Sequence, residues 1–506
     1  MSLDLAEIHN VSTMKILLVS PAYPDTYWSF RHALKFVSKK AASPPLGLLT
    51  ISSMLPADWE RKLVDMNVRA LKDADIRWAD LVCIGAMSVQ SASARQVVDR
   101  SKKLQKKLVA GGPLFTGDPD AWMDIDHLVL NEAEITLPWF LSDLEKGCAQ
   151  KLYQTEEYAE VKCTPAPDYS LIRAADYAQL SLQYSRGCPF DCEFCEITAL
   201  LGRKVRLKST RQIIEELDII YHTGFRGNVF FVDDNFIGNK KRLKRDLLPA
   251  IIHWNEEHHH AYTFTTEASI DLSDDAELMM AMAEAGFEKV FVGIETPDEE
   301  SLKECNKKLN TGRDLLQSVA AIQAAGIEVS AGFIVGFDND TSSLLQRQID
   351  SRQNSGILTA MVGLLNAPSR TRLYKRLKDE GRLLHTADGD NTNYDMNFVP
   401  KMDNEELLHG YQKIVHNIYS SKAYYKRLKV FLGHFRPVVV NRGRINVENM
   451  MAFLRSIFYL GILDKHRGFY WNLLGWSLRK RPDMFPMAVA YSIYGYHFRK
   501  VYQIDD

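Results

Sequence analysis

Leu180-Ser-Leu-Gln-Tyr-Ser-Arg-Gly-Cys-Pro-Phe-Asp-Cys-Glu-Phe-Cys195 decides the fold of this chain. It opens as a short strand-like run, 180–185, and turns at once into three cysteines, Cys188, Cys192 and Cys195, spaced C-x3-C-x2-C. A short run bounded by a glycine turn reads as a buried strand. Five more strand-like runs follow, at 228–233, 262–268, 289–295, 328–336 and 359–365. Helical patterns separate them, at 211–222, 247–254, 275–285, 315–325 and 342–353. Strict strand–helix alternation predicts a parallel sheet curled into a partial (β/α)6 barrel, with its chemistry at the carboxyl ends of the strands. The cysteines stand at the first of those ends.

Thiolates are soft ligands suited to zinc or to iron–sulfur clusters. A closed zinc site needs four ligands. Only three cysteines are here, and no histidine lies nearby. On a four-iron cluster three thiolates leave one iron open to a substrate or cofactor. The alternative is a zinc site completed by a distant Cys163 or Cys305.

Upstream, apolar runs at 15–20, 62–65, 81–86, 107–110 and 127–130 alternate with helical patterns such as 93–107. They predict a doubly wound, Rossmann-like α/β domain over 14–148, behind a polar extension at 1–13. Gly85 and Gly111–Gly112 mark two of its strand ends, where ligands bind in such sheets. No G-x-G-x-x-G follows the first strand, which disfavours a dinucleotide. Residues 149–178, with Pro165 and Pro167, read as a linker, and 179–383 as the barrel. The alternation stops near 384, and 384–506 reads as a helical domain facing the substrate or a partner.

The 506 residues suit about three domains. With 62 basic and 64 acidic residues the net charge is −2, so the whole chain is neither a polybasic coat nor an acidic tail. That average conceals a polarity. Residues 421–506 hold 15 Lys and Arg against 5 Asp and Glu, and 17 aromatic side chains. This basic end could cap the barrel, lie on an anionic membrane or dock an acidic protein. Nucleic acid is not expected, since no module for it is recognisable. No run is apolar and long enough for a membrane span and none reads as a signal peptide. Seven cysteines, three of them clustered, suit a reducing cytoplasmic compartment.

The cysteine triple on the first loop of a (β/α) barrel resembles the radical S-adenosylmethionine (SAM) enzymes. The resemblance implies Cys188, Cys192 and Cys195 as ligands of a 4Fe-4S cluster whose open iron chelates SAM. It implies Phe194 near adenine, with packing inside the loop as the alternative role. Val232-Asp233-Asp234-Asn235-Phe236 resembles the motif that holds the methionyl ammonium, and either Asp233 or Asp234 would serve, unless the pair caps a helix. Glu267 ends the third strand. Gly293-Ile-Glu295-Thr-Pro resembles the segment at the ribose, and Gly332-Phe-Ile-Val-Gly336-Phe the strand beside adenine.

The order of domains resembles the cobalamin-binding branch of the family, as do Pro44-Pro-Leu-Gly-Leu-Leu49, Gly111-Gly-Pro113 and Asn131-Glu-Ala-Glu134. The Asp-x-His-x-x-Gly motif that supplies an axial histidine to cobalt elsewhere is missing, which leaves the lower cobalt ligand unassigned. Ser88, Gly111, Gly112 and Glu132 are the expected cobalamin contacts. The motifs look like those of hopanoid methylases and of peptidyl glutamine C-methyltransferases. The implied activity is methyl transfer from methylcobalamin to an unactivated carbon of a protein or lipid, through a 5′-deoxyadenosyl radical, with a reductant such as ferredoxin or flavodoxin. A cobalamin-dependent cyclase or rearrangement enzyme would share every motif. A methylthiotransferase would need a second cluster, and Cys83, Cys148 and Cys163 are too scattered for one. A non-enzymatic iron–sulfur protein would not cleave SAM.

Overall fold

The computed structural model describes residues 13–341, 343, 356–437 and 447–504. The readings at 1–12 and, Ser343 apart, at 342–353 lie outside the described residues.

Continuous apolar runs make the first sheet. Strands β1 (Lys15–Ser20), β2 (Glu60–Asp65), β3 (Leu81–Gly85), β4 (Lys107–Gly111), β5 (His127–Val129) and β6 (Leu152–Tyr153) are all parallel, in the order β2-β1-β3-β4-β5-β6. Leu17 and Val19 of β1 enter one core layer and Ile16 and Leu18 the other. That two-sided burial is why the run lacks alternation. Helices α1 (Ser91–Lys103) and α2 (Ala133–Glu145) belong to the two faces. The stretch read as a linker supplies β6. Two residues are too few to show a period, so the sheet extends past the expected boundary at 148.

The second sheet starts with β7 (Gln179–Leu182). A small antiparallel pair, β8 (Ser185–Arg186) and β9 (Arg206–Leu207), brackets the cysteine loop. Strands β10 (Gly227–Phe231), β11 (Tyr262–Glu267), β12 (Phe287–Glu295), β13 (Glu328–Val335) and β14 (Ala360–Leu364) complete the barrel, all parallel, in the order β7-β10-β11-β12-β13-β14. Crossover helices include α3 (Thr210–His222), α4 (Ala276–Ala285) and α5 (Leu315–Ala324). Ser209 and Gln212 close a reciprocal capping box at the start of α3, and Asp275 caps α4. Along β11, Tyr262, Phe264 and Thr266 are buried, while Thr263, Thr265 and Glu267 keep partial access from the barrel interior.

After α6 (Arg372–Asp379) the chain becomes helical: α7 (Asn404–Tyr419), α8 (Ser421–His434), α9 (Val447–Ser456), which runs on as a π-helix at Ile457–Leu463, α10 (Arg467–Lys480) and α11 (Phe485–Val501). These helices pack on the segment that follows β1. Tyr27 stacks on Phe498 with ring centroids 4.5 Å apart, and its hydroxyl lies 3.0 Å from that of Tyr419. Among the described residues no helix is long and apolar enough to cross a membrane.

Candidate functional site

The cysteine loop is held from outside itself. The Asp191 carbonyl accepts from Asn306 Nδ2 and Arg372 Nη2, both at 2.7 Å. The Glu193 amide donates to the Cys305 carbonyl, and the Glu193 carboxylate takes a fork from Arg376 of α6 at 2.9 and 3.1 Å. Inside the loop the Cys195 amide donates to the Cys192 carbonyl, and none of these ties uses a thiol. Burial pushes the thiols of Cys188 and Cys192 up, and that of Cys195 up to about 12. Lys307 opposes the shift at all three. Lys307 was not anticipated from sequence. It follows the fourth strand's helix, with Nζ 2.6 Å from Glu295 Oε1. Burial would lower its pKa, but the charges of Glu295 and Cys192 outweigh this and raise it.

The two aspartates separate in role. Asp233 is fully buried and accepts from the amides of Tyr184, at 3.0 Å, and of Ser185, so its carboxylate ties β10 to the end of β7. Burial still pushes it up to about 7. Asp234 makes no such tie and, against the pull of Arg186, is pushed by burial up to about 6. Neither caps a helix, because Asn235 occupies that position. Glu267 is pushed up to about 8, by burial first and then by the charges of Asp234 and Asp233. The third and second strand ends thus present two half-buried carboxylates, Glu267 and Asp234, with no contact short enough for an ion pair among the described residues. Buried charge of this kind is costly unless something cationic arrives.

Glu295 bulges from β12 at φ 65°, which turns it toward Lys307 rather than outward. Gly332 sits beside Gly293 on the neighbouring strand, and a Cβ there would meet the Phe291 ring at 2.9 Å. Phe194 packs edge-on against Phe337, with centroids 6.4 Å apart, so the aromatic of the cysteine loop meets the end of the glycine-spaced strand.

The carboxyl ends of the two sheets face one another. Gly117, just after the Gly111–Gly112 turn, approaches Glu196, the residue after Cys195. Trp28, after β1, reaches into the barrel, where it meets Phe291 at 5.3 Å and the Met361 sulfur at 3.1 Å. Ser88 lies at the end of β3 against Gly389. Gly111 packs on the Val129 carbonyl, and Gly112, at φ 97°, on Ala86, so this turn closes tightly on the neighbouring strand ends of its own sheet, where a side chain would not fit. Glu132 is engaged differently from its neighbours. Both its oxygens accept from Arg206, at 2.6 and 2.7 Å, and one also accepts the Ala159 amide. Glu134 pairs with Arg186 at 2.8 Å, which holds it below the usual carboxylate range against the opposing effect of burial. The Asn131–Glu134 motif therefore clamps the first domain to β8 and β9. Tyr158 covers Arg206, 5.2 Å from its ring centroid. A cavity of about 360 Å³ lies beside this clamp, between Asn131, Tyr158, Leu200 and Arg370.

Among the described residues no three His, Cys, Asp or Glu side chains converge on one point as a single metal ion requires. The zinc alternative, completed by Cys163 or Cys305, forms no such group either: Cys163 is exposed, and the buried Cys305 thiol, although near the loop, donates to the Leu302 carbonyl at 3.5 Å. Three partly accessible thiols, each under the influence of the Lys307 charge, fit a cluster in which each thiolate would meet a different iron. Cys83 is half-buried and Cys148 and Cys163 are exposed, and among the described residues no second set of thiols forms.

A parallel barrel with a cysteine triple at its first strand end, apposed to a doubly wound domain, defines a radical SAM enzyme with a cofactor-binding partner domain. Comparison with known proteins agrees. Residues 182–346 match the radical SAM superfamily, 37–141 the B12 binding domain and 371–505 a domain of unknown function. An uncharacterised methyltransferase of Synechocystis sp. is 39% identical over 97% of this chain and 92% of its own length. The hopanoid C-2 methylase of Rhodopseudomonas palustris is 33% identical over 91% and 89%. The chain belongs to the cobalamin-dependent radical SAM methylase family, an enzyme family whose cofactors are a 4Fe-4S cluster, SAM and cobalamin. Its fold is shared by the cobalamin-dependent SAM radical enzyme OxsB, with a TM-score of 0.63 at 16% identity over 98% of this chain and 85% of that one. The methyltransferase TsrM of Kitasatospora setae gives a TM-score of 0.63 at 13% identity, over 90% of this chain and 98% of that one.

Proposed function

We propose that this enzyme methylates an unactivated carbon of an apolar, polycyclic lipid of the hopanoid kind. The carrying observation is an accessible apolar surface at the facing ends of the two sheets. Tyr23, Trp28 and Met87 leave 40%, 41% and 51% of their surfaces accessible. The Tyr23 hydroxyl lies 3.6 Å from the Met87 sulfur, so the two form one wall. Phe291 and Met361 continue this wall from the barrel. An apolar wall rejects water and admits a hydrocarbon body. A glutamine side chain of a protein is the competing substrate.

In this reading Cys188, Cys192 and Cys195 hold the cluster. Asp234 and Glu267 receive the methionyl ammonium, which supplies the positive charge their burial lacks. Lys307 and Glu295 bound the site on the ribose side, Gly332 admits the adenine face, and Phe194 closes over it. Ser88, Gly111 and Gly112 face cobalamin, and Glu132 fixes the domain that carries them. When bound, these cofactors supply the radical that removes a substrate hydrogen and the methyl group that replaces it. The chain's own part is to position, to charge-match and to keep water out. A ferredoxin or flavodoxin in the cytoplasm would deliver the electron, and the basic C-terminal region would meet the membrane that stores the lipid.

The test is to incubate the reconstituted enzyme with SAM and either a hopanoid or a glutamine-containing peptide. The reading expects a lipid one methyl heavier and an unchanged peptide. A methylated peptide with unchanged lipid overturns the choice of substrate, and a rearranged product without added methyl overturns the reaction.

A further inference from the structure

The helices after residue 446 expose an apolar stripe that none of the described residues covers. Met450, Leu454, Phe458 and Ile462 recur one turn apart along α9 and its π-helical continuation, and leave 49%, 51%, 49% and 56% of their surfaces accessible. The wider π turn keeps the spacing of four residues in line where an α-helix would drift. Trp471 of α10 extends the stripe sideways. Its ring lies across Gly461, its Nε1 donates to the Gly461 carbonyl at 3.0 Å, and it too stays exposed. Leu478, two turns further along the same face of α10, is also exposed.

The charges around the stripe have one sign. The acidic side chains nearby are matched: Glu448 by Lys39 at 3.6 Å, Asp464 by Arg499 at 2.7 Å and Asp483 by Arg481 at 2.7 Å. Arg467, Arg479 and Lys480 are exposed at the two ends of α10, and among the described residues no carboxylate pairs with them. Apolar side chains with an exposed tryptophan and a cationic rim are what the headgroup boundary of an anionic bilayer accepts. The stripe is also tied to the segment that carries Trp28. Arg455 of α9 donates to the carbonyls of Lys35 and Phe36, at 3.1 Å each, in the segment that leads from Trp28.

We infer that this face is a monotopic membrane anchor: α9, its π-helical extension and α10 lie in the plane of an anionic leaflet, with Met450, Leu454, Phe458, Ile462 and Trp471 inserted below the headgroups. The choice of a bilayer over a protein partner rests on the charge match and on the lipid-substrate reading above.

The experiment floats the full-length reconstituted enzyme with vesicles of phosphatidylcholine, alone or with roughly one third phosphatidylglycerol, the fraction of anionic lipid setting the surface potential. Wild type should bind the anionic vesicles, and less at high salt. Leu454→Asp with Phe458→Asp, and separately Arg479→Glu with Lys480→Glu, should each weaken binding about tenfold or more. All four positions are exposed, so both variants should keep the wild-type melting temperature and their yield of 5′-deoxyadenosine. Wild type that stays off both vesicles, or variants that float like wild type, overturn the anchor. So does a wild-type dimer that the aspartate variant makes monomeric, because the stripe would then cover a second copy. Vesicle binding through these residues with no methylation of lipid would leave the anchor standing and remove only the substrate reading.

Discussion

Two groups of carboxylates lie close together in this enzyme and have opposite electrostatics. At the domain clamp, Glu132 and Glu134 each meet a guanidinium within 3 Å. At the barrel mouth, Asp234 and Glu267 meet none among the described residues, and burial pushes them up to about 6 and about 8. The sequence shows no such contrast, since all four are acidic residues at strand ends. The difference teaches how to read function from charge. Matched charge holds the architecture, and charge buried without a match waits for a cation that the chain does not carry.

The contrast breaks most sharply at the clamp. Arg206→Met leaves the buried Glu132 with only the Ala159 amide and the longer contact to Arg186 at 3.8 Å, and should cost about 3 kcal/mol of stability. Chemical denaturation of the cofactor-free chain measures it. An unchanged midpoint would mean that the clamp is ornamental and the contrast false.

Glu267→Gln should act in the opposite direction. The folded pKa of Glu267 lies above its unfolded value, so the folded state binds the extra proton between about pH 4.5 and 8. Its stabilising effect is complete below that window and is lost as pH rises through it. The Gln variant of the cofactor-free chain should therefore be more stable than wild type at pH 8.5, by about 1–3 kcal/mol, and equal to it near pH 4.5. The same variant should bind SAM more weakly, as equilibrium dialysis of cluster-loaded protein would show. A variant less stable at every pH would place Glu267 with the clamp residues.

The smallest expected effect is at Tyr158, whose ring covers Arg206 while remaining exposed. Tyr158→Leu should cost about 0.5–1 kcal/mol. A larger loss would show that the ring also closes the neighbouring cavity.

What could be read from sequence follows from range. Strands such as 289–295 and 328–336 were legible to within two residues, because each carries an apolar run between helical patterns. The cysteine triple was legible because a cluster fixes both residue type and spacing. Arg206 was not, because its partner lies 74 residues away in another domain and leaves no local period. Lys307 escaped for a like reason: it acts across the barrel mouth, and one lysine after a cysteine has no motif. Between Asp233 and Asp234 the sequence left a choice, and only the backbone amides of β7 and its loop separate them. The exposed stripe on α9 was hidden because amphipathic spacing fits a covered helix equally well.

The central claim is that Cys188, Cys192 and Cys195 together carry a cluster that cleaves SAM. The direct measurement is anaerobic reconstitution with iron, sulfide and cobalamin, followed by reductant and methyl-labelled SAM. The wild type should form 5′-deoxyadenosine and labelled methylcobalamin, while Cys192→Ala should show neither cluster absorbance nor 5′-deoxyadenosine. A wild type that yields neither product, or a Cys192→Ala variant with an intact cluster, would contradict the account.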